Sequence, residues 1–306
     1  MSFASETKTE LCQAMPQNSC CRKAECYGML LFGRSFSQNA ISLTIENTAA
    51  AHRAAQLTAE TVGVIVDIST SLLRRKERKS AFTVAVSGGG QREEVLSCFG
   101  HTGKEIHLRI NRANMENDCC ACAFLRGVFL SCGTVTDPSK DYHLEFVVPF
   151  MNLARDLGAF ISEIYELDLQ PGLLNRKGSY VVYIKGSEHV ADFLTFMGAG
   201  KAAMSLMQVK MLKEVRNNVN RKTNFETANI DKTASAAAAQ IVAIEKIIRS
   251  AGGLSALPEE LRELAVLRCR YPEMSLRELG ATLSEPLSRS GVNHRLQRIM
   301  EFARVL

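Results

Sequence analysis

Two apolar stretches of the 306-residue chain share one pattern: Cys20-Cys21-Arg-Lys-Ala24-Glu-Cys-Tyr-Gly28-Met-Leu-Leu31 and Cys119-Cys120-Ala-Cys-Ala123-Phe-Leu-Arg-Gly127-Val-Phe-Leu130. Each stretch is long enough for a helix, yet each carries a glycine near its middle, which costs a helix about 1 kcal/mol relative to alanine. Such a glycine is tolerated where two helix backbones must approach closely. The repeat therefore predicts a pseudo-twofold domain whose two halves cross at Gly28 and Gly127.

The segments that follow the two glycine-bearing helices predict the same order of elements, helix-strand-strand-helix-strand-strand-helix. In the first half these are strand residues 41–46, a helix at Thr48–Thr61, strands at Gly63–Ser69 and Ala81–Val86, and a helix at Gln91–Phe99. In the second half they are a strand at Tyr142–Val148, a helix at Met151–Tyr165, a hairpin with its turn at Asn175–Gly178 and return strand at Tyr180–Ile184, and a helix at Ser187–Met197. The predicted fold class is α+β.

This order, led by a glycine-bearing helix, resembles the LAGLIDADG homing-endonuclease fold. The resemblance implies that an acidic residue near the end of each such helix would hold a catalytic divalent metal. Aligned on the two motif glycines, those positions are Gly33 and Cys132, with Leu31 and Leu130 just before them. Because Mg²⁺ prefers carboxylate oxygens, the sequence predicts the scaffold without its metal, its cofactor or its catalysis.

The chain has ten cysteines and no secretory signal pattern, so reduced thiols are predicted. Cys20 and Cys21 together with Cys119 and Cys122 offer a zinc alternative, since Cys-x-x-Cys is a ligand spacing. Only one such spacing is present, and adjacent cysteines rarely bind the same tetrahedral ion. The sequence therefore favours small, half-buried residues at helix starts over a metal site.

A basic segment at 208–222 carries five Lys or Arg residues against one glutamate, with apolar residues at helical spacing. It is predicted to be a helix whose cations and amides either face solvent or follow a phosphate backbone. The polar residues Thr223–Ser235 are predicted to be a linker. The candidate DNA-contacting residues of this segment are Lys210, Lys213, Arg216, Asn217, Asn220, Arg221 and Lys222.

The carboxyl-terminal residues 236–306 predict an all-α helix-turn-helix domain. Pro258 begins one helix, a Ser275–Glu278 capping box begins the next, and Ser288 or Ser290 caps the last. The amino-terminal end of the last helix would enter the major groove, where Arg pairs with guanine and Asn with adenine. A helical protein-interaction bundle is the alternative. The candidate DNA-contacting residues are Arg277, Ser288, Arg289, Ser290, Gly291, Asn293, His294, Arg295 and Arg298.

Taken together, these parts resemble the WhiA regulators of Gram-positive bacteria over nearly the whole chain. The segments that carry the resemblance are Cys20–Ala24, Phe124–Gly127, Asn217–Lys222, Glu226–Asn229 and Ser290–Arg295. It implies a degenerate LAGLIDADG-like domain at 1–207, a basic helix and linker at 208–235 and a DNA-binding domain at 236–306. It also implies a transcriptional regulator of cell division, chromosome segregation or sporulation that binds double-stranded DNA, with a sigma factor or RNA polymerase as a further partner. The alternatives are a protein-interaction adaptor and an active nuclease or maturase.

The chain is predicted to be cytoplasmic, because no apolar stretch approaches the roughly 20 residues of a membrane span. The resemblance implies that it associates with the nucleoid. The net charge of +5 permits a nucleic-acid partner without requiring one. The outward residues of the predicted sheets include Ser42, Thr44, Glu46, His143 and Glu145, which do not form a basic saddle. The amino-terminal domain is therefore predicted to contribute weakly to DNA affinity and to act as a protein-contact platform. The basic run at 74–79 is predicted to be a loop that contacts phosphate or faces solvent.

Overall fold

The computed structural model describes residues 2–16, 18–73, 79–250 and 252–306. The basic run at 74–79 falls outside this description except for the backbone of its last residue. Contacts divide the chain into two units, Met1–Lys213 and Glu214–Leu306. Among the described residues, no helix combines the length and the apolar character needed to cross a bilayer.

The first unit contains the predicted order of elements twice, preceded by a helix that the sequence did not predict, α1 (Phe3–Gln13). The first repeat is α2 (Ser19–Leu31), β1 (Ser35–Phe36), β2 (Ile41–Ile45), α3 (Thr48–Val62), β3 (Asp67–Leu73), β4 (Lys79–Ala85) and α4 (Gly89–Cys98). The second repeat is α5 (Asp118–Cys132), β5 (Gly133–Val135), β6 (His143–Val148), α6 (Met151–Ser162), β7 (Gly172–Arg176), β8 (Ser179–Lys185) and α7 (Ser187–Met197). The α+β prediction is confirmed.

One strand begins later than predicted. The sequence placed its start at Gly63, but Gly63 adopts a left-handed conformation (φ 84°) and ends α3. Residues 63–66 connect the elements, and β3 begins at Asp67. A glycine in this conformation is a common helix terminator, because a side chain is disfavoured there.

Each repeat forms its own four-stranded antiparallel sheet, with strand orders β1-β2-β4-β3 and β5-β6-β8-β7. In β2, Ile41, Leu43 and Ile45 are buried while Thr44 is exposed, as the alternating pattern predicted. In β6, the buried residues are likewise every second one, beginning at Leu144. One face of each sheet therefore packs on the helices and the other lies outside the core.

The helices α2 and α5 cross at their glycines. A Cβ atom built on Gly28 would lie 2.4 Å from the carbonyl oxygen of Phe124, and one built on Gly127 would lie 2.1 Å from that of Glu25. No side chain fits at such distances, so both positions need glycine. This confirms the predicted crossing.

A buried ion network surrounds the crossing. The Glu25 side chain is fully buried and accepts hydrogen bonds from Arg53 Nε at 2.9 Å and Arg126 Nη1 at 3.3 Å. Both arginines also donate to the carbonyl oxygen of Ala14, just after α1, and Arg126 Nε donates to that of Met197 in α7. Through the two arginines, the Glu25 carboxylate of α2 is thereby connected to α3, to α5 and to the carboxyl-terminal ends of α1 and α7.

A single helix, α8 (Gly200–Arg249), contains the end of the first unit and the start of the second. The stretch Thr223–Ser235, predicted to be a linker, is helical instead. Its polarity suggested a linker, but neither glycine nor proline occurs between Lys201 and Arg249, so nothing in the chain breaks the helix. All residues from 214 to 236 are exposed.

The second unit packs the end of α8 against α9 (Glu259–Arg270), α10 (Leu276–Thr282) and α11 (Arg289–Val305). The capping box at the start of α10 is present, with Glu278 Oε2 accepting from the backbone of Ser275 and Ser275 Oγ from that of Glu278. The shared core contains Ile244, Ile247, Leu261, Leu264, Leu279, Val292, Leu296 and Ile299.

Candidate nucleic-acid interface

The start of α11 is capped by Ser288, whose Oγ accepts from Gly291 N at 3.3 Å. The Ser288 and Ser290 hydroxyl groups lie 3.0 Å apart. The capped end presents free backbone N–H groups and the positive end of the helix dipole, which together favour a phosphate. The predicted cap is therefore in place.

One face of α11 is exposed along its first three turns. Four predicted contact residues lie there, because the core residues Val292, Leu296 and Ile299 occupy the opposite face. Gln297, which was not among the predicted contact residues, continues the exposed face one turn beyond Asn293. The predicted residues that the structure brings together as exposed side chains are Arg289, Ser290, Asn293 and His294, with Ser288 at the cap and Arg277 exposed on α10.

Two further arginines of α11 are directed towards α9. Arg295 Nη1 donates to the carbonyl oxygen of Glu260 at 3.1 Å, and Arg298 Nη1 contacts Glu260 Oε1 at 2.6 Å. Both side chains are only partly exposed. In this arrangement Arg295 and Arg298 position α11 against α9, whereas the sequence predicts both as DNA-contacting residues.

The connection between α10 and α11 depends on residues that sequence reasoning missed. Leu287 N donates to the carbonyl oxygen of Gly280 at 3.0 Å, and a Cβ on Gly280 would lie 2.3 Å from the oxygen of Leu287. Glu263 of α9 accepts from both the backbone N and the hydroxyl of Ser284. The glycine within α10, Gly280, was the signal in the sequence for this close approach.

The cations of the basic segment fall into two groups. Lys210 Nζ pairs with Glu188 Oε1 at 2.9 Å, and Lys213 Nζ donates to the carbonyl oxygen of Pro138 at 2.7 Å while lying 5.0 Å from the Tyr142 ring. These two lysines thus help to hold α8 on the first unit. The other predicted contact residues of the segment, three cations and two asparagines, are exposed on the part of α8 that belongs to the second unit: Arg216, Asn217, Asn220, Arg221 and Lys222.

The exposed sheet surface of the first unit is not strongly basic. Arg176 on β7 is paired with Glu145 on β6, with 2.8 Å between Arg176 Nη2 and Glu145 Oε1. His143 Nε2 lies 3.4 Å from Glu145 Oε2. Arg176 helps to hold the pKa of Glu145 below its usual range, against the opposing effect of burial. Glu145 therefore offsets the charge of Arg176 on this sheet, while Lys185 on β8, the register partner of His143, is exposed.

The positions where the fold would place catalytic acids do not suit a divalent metal. Gly33 has no side chain, and burial raises the pKa of the Cys132 thiol to about 12. Beside Cys132, Lys8 of α1 donates to the carbonyl oxygen of Leu130 at 3.1 Å. Lys8, Glu46, Ser131 and Cys132 line one cavity of about 640 Å³. A protonated lysine supplies positive charge where a metal-binding site needs carboxylates.

Lys8 gives this region a measurable pH dependence. Burial lowers its pKa from 10.5 to about 8, against the opposing effects of Cys132, Cys12 and Glu46. Between these values the unfolded chain binds more protons than the folded chain, so the free energy of unfolding rises with pH. Relative to a Lys8→Met variant, the unsubstituted protein should gain roughly 1–2 kcal/mol between pH 7.5 and 9.5, measured by urea unfolding. A Lys104→Met variant, changed at an exposed lysine, should keep this pH dependence. If the unfolding free energy of the Lys8→Met variant rose with pH as steeply as that of the unsubstituted protein, the prediction would be contradicted.

Comparison with known proteins identifies the family of both units. A model of the WhiA LAGLIDADG-like domain matches residues 121–216, and a model of the WhiA C-terminal HTH domain matches residues 219–303. A probable cell division protein WhiA from Alkaliphilus metalliredigens is 36% identical over 99% of this chain and 98% of its own length. Its counterpart from Alkaliphilus oremlandii is 38% identical over 99% of this chain and 97% of its own length. The chain belongs to the WhiA family.

A solved structure agrees with this assignment. Full-length DUF199/WhiA from Thermotoga maritima superposes with a TM-score of 0.61 and 26% identity, covering 100% of this chain and 99% of its own. The two-unit organisation described above is therefore that of a WhiA protein, with a LAGLIDADG-like domain followed by a helix-turn-helix domain. In this WhiA family member, the residues predicted to occupy the catalytic positions of the LAGLIDADG-like domain are Gly33 and Cys132, neither of which is an acid.

Proposed function

We propose that this chain is a sequence-specific DNA-binding transcriptional regulator without nuclease activity, acting in cell division and chromosome segregation and, in a spore former, in sporulation. The observation that carries the proposal is the exposed, polar amino-terminal end of α11 within a helix-turn-helix domain. Helices of this class insert that end into the major groove. The relatives are named cell division proteins, which supports the assigned process.

Base reading is assigned to the exposed face of α11. Arg289 has the fork geometry for guanine, while Asn293 and Gln297 have the amides that pair with adenine. Ser288, Ser290 and the backbone at the cap, including Gly291, would hold a phosphate. Arg277, His294 and the exposed α8 residues Arg216, Asn217, Asn220, Arg221 and Lys222 would add phosphate contacts. In this reading Arg295 and Arg298 position the helix through Glu260.

The absence of nuclease activity is proposed from the donor set at the former catalytic positions. Gly33 and the half-buried Cys132 offer no carboxylate, and Lys8 adds a cation beside Cys132. Incubating a supercoiled plasmid that carries a bound site with the full chain and Mg²⁺ or Mn²⁺ should leave the plasmid intact. Nicking at that site would overturn this part of the proposal.

The DNA-binding proposal is tested with a duplex that the wild-type chain recovers from genomic DNA. We expect Arg289→Ala to weaken binding to this duplex about 10- to 100-fold, because a bidentate arginine–guanine contact discriminates by about 1–3 kcal/mol. Fluorescence anisotropy against a shuffled duplex of equal length, at several salt concentrations, measures both affinity and specificity.

Arg304→Ala is the matched control, because Arg304 is exposed in the last turn of the same helix and carries the same charge. It should change affinity less than about threefold, since it lies far along the helix from the base-reading end. Equal losses in the two variants, or an unchanged preference in Arg289→Ala, would count against the assigned recognition helix.

Genome-wide mapping of the bound DNA would locate the regulated genes, and the expected location of the protein is the cytoplasmic nucleoid. A sigma factor or RNA polymerase is the proposed protein partner, with the exposed sheet surface of the first unit as the contact platform. The second candidate function, a protein-interaction adaptor, is favoured by that surface alone. It predicts no salt-dependent DNA binding, so the anisotropy series separates the two functions.

A further inference from the structure

Four thiols meet where the crossing helices begin. Cys20 and Cys21 lie in the first turn of α2, and Cys119 and Cys120 lie in the first turn of α5. The four Sγ atoms all lie within 4.8 Å of one another. The Sγ of Cys20 is 4.0 Å from that of Cys21 and 4.0 Å from that of Cys119. All ten cysteines belong to the described residues, and none of them is in a disulfide.

This spacing matches the ligands of one tetrahedral ion. A Zn–S bond of about 2.3 Å places the sulfur atoms of a tetrahedron about 3.8 Å apart, close to the separations found here. Tetrahedral sulfur coordination selects zinc or iron, and an iron–sulfur cluster holds its thiolates on separate iron atoms, further apart. We propose that Cys20, Cys21, Cys119 and Cys120 bind a single Zn²⁺ ion that joins the two repeats.

The helix ends provide a suitable electrostatic setting. Four thiolates around one Zn²⁺ carry a net charge of −2, which the positive ends of two helix dipoles favour. The residues before the helices, Asn18 and Asn117, make no side-chain capping bond among the described residues. The Asn18 amide nitrogen instead lies 4.0 Å from the Sγ of Cys119, where it can support a metal-bound thiolate.

Burial divides the four cysteines into an inner and an outer pair. Cys21 and Cys120 are buried, whereas Cys20 is half-buried and Cys119 is exposed, which leaves the ion a path from solvent. Binding releases the thiol protons to solvent, and four protein ligands leave no open position, so the site is structural.

The ligand set differs from the one that the sequence suggested. A Cys-x-x-Cys reading would include Cys122, but the Sγ of Cys122 lies 3.4 Å from Arg126 Nη2 and outside the cluster. Cys120 takes its place. Adjacent cysteines ordinarily make a poor ligand set, yet two adjacent pairs from two converging helix ends supply all four positions.

The experiment is metal analysis of the full chain purified under reducing conditions from zinc-supplemented cells, followed by replacement of the metal with Co²⁺. We expect one zinc per chain and, with Co²⁺, the thiolate-to-cobalt charge-transfer bands of a tetrahedral four-sulfur site. Both Cys20→Ser and Cys119→Ser should lose most of the zinc. Cys122→Ser is the matched control, three residues further along the same helix as Cys119, and should retain it.

The wild-type measurements decide the proposal even if a ligand variant fails to fold. A chain that contains almost no zinc and gives no charge-transfer band with Co²⁺ overturns it. Loss of zinc in Cys122→Ser to the same extent as in Cys20→Ser also overturns the assigned ligand set. These results do not depend on DNA binding.

Discussion

Replacing Glu25 by glutamine is expected to lower the free energy of unfolding by about 3–5 kcal/mol, because it leaves two buried guanidinium groups without their anion. Arg53 and Arg126 are almost fully buried, and their remaining partners are uncharged: the carbonyl oxygens of Ala14 and Met197 and the sulfur atoms of Met15 and Cys122. Glutamine keeps the shape of the side chain, so the decrease in unfolding free energy measures the removal of the negative charge and not the creation of a cavity. Urea unfolding at neutral pH measures it.

The control is the same substitution in an exposed ion pair of the same unit. Glu163 pairs with Arg112 at 2.9 Å, with about half of each side chain exposed, and Glu163→Gln should change the unfolding free energy by less than about 1 kcal/mol. A Glu25→Gln variant as stable as Glu163→Gln would show that the network does not hold the helices together.

The second large effect is expected for Gly127→Ala. At an exposed position within a helix, replacing glycine by alanine stabilises the helix by about 1 kcal/mol through helix propensity alone. At Gly127 the new methyl group would lie 2.1 Å from the carbonyl oxygen of Glu25 and 3.0 Å from Met29 N, both backbone atoms. The two helices must separate, and we expect a loss of about 3 kcal/mol, the upper part of the range for overpacking.

The matched control for this prediction is Gly158→Ala in α6, where the new methyl group would meet no atom within 4 Å. It should stabilise the chain by up to about 1 kcal/mol, so the two identical substitutions differ in sign. Thermal and urea unfolding of both variants test the comparison. Stabilisation by Gly127→Ala would mean that the helix backbones do not touch at this point.

The local patterns of the sequence predicted most elements of the fold. Alternating residues predicted β2 and β6, serine caps predicted the starts of α10 and α11, and the repeated glycines predicted the crossing. Each of these depends on neighbours within a few positions, and the sequence therefore contains the necessary information.

The features that were not predicted depend on distant partners. The Glu25 network joins residues 28 and 101 positions apart, and no local pattern indicates that Arg53 and Arg126 turn inward. Arg295 and Arg298 were assigned to DNA by charge, but their direction is decided by Glu260, more than thirty positions earlier. Thr223–Ser235 was predicted to be a linker from its polarity, but the segment contains no glycine or proline and is part of α8.

The crossing of α2 and α5 also constrains how the chain is synthesised. Its contacts join positions 99 residues apart, so the first repeat is complete on the ribosome before its crossing partner has emerged. Until then the part of α2 that crosses α5, around Gly28, lacks its partner helix, although Tyr27 already packs on Phe99 just after α4. The two repeats have matching architecture, and each covers the crossing face of the other's central helix. We therefore expect them to fold as one cooperative unit, late in translation.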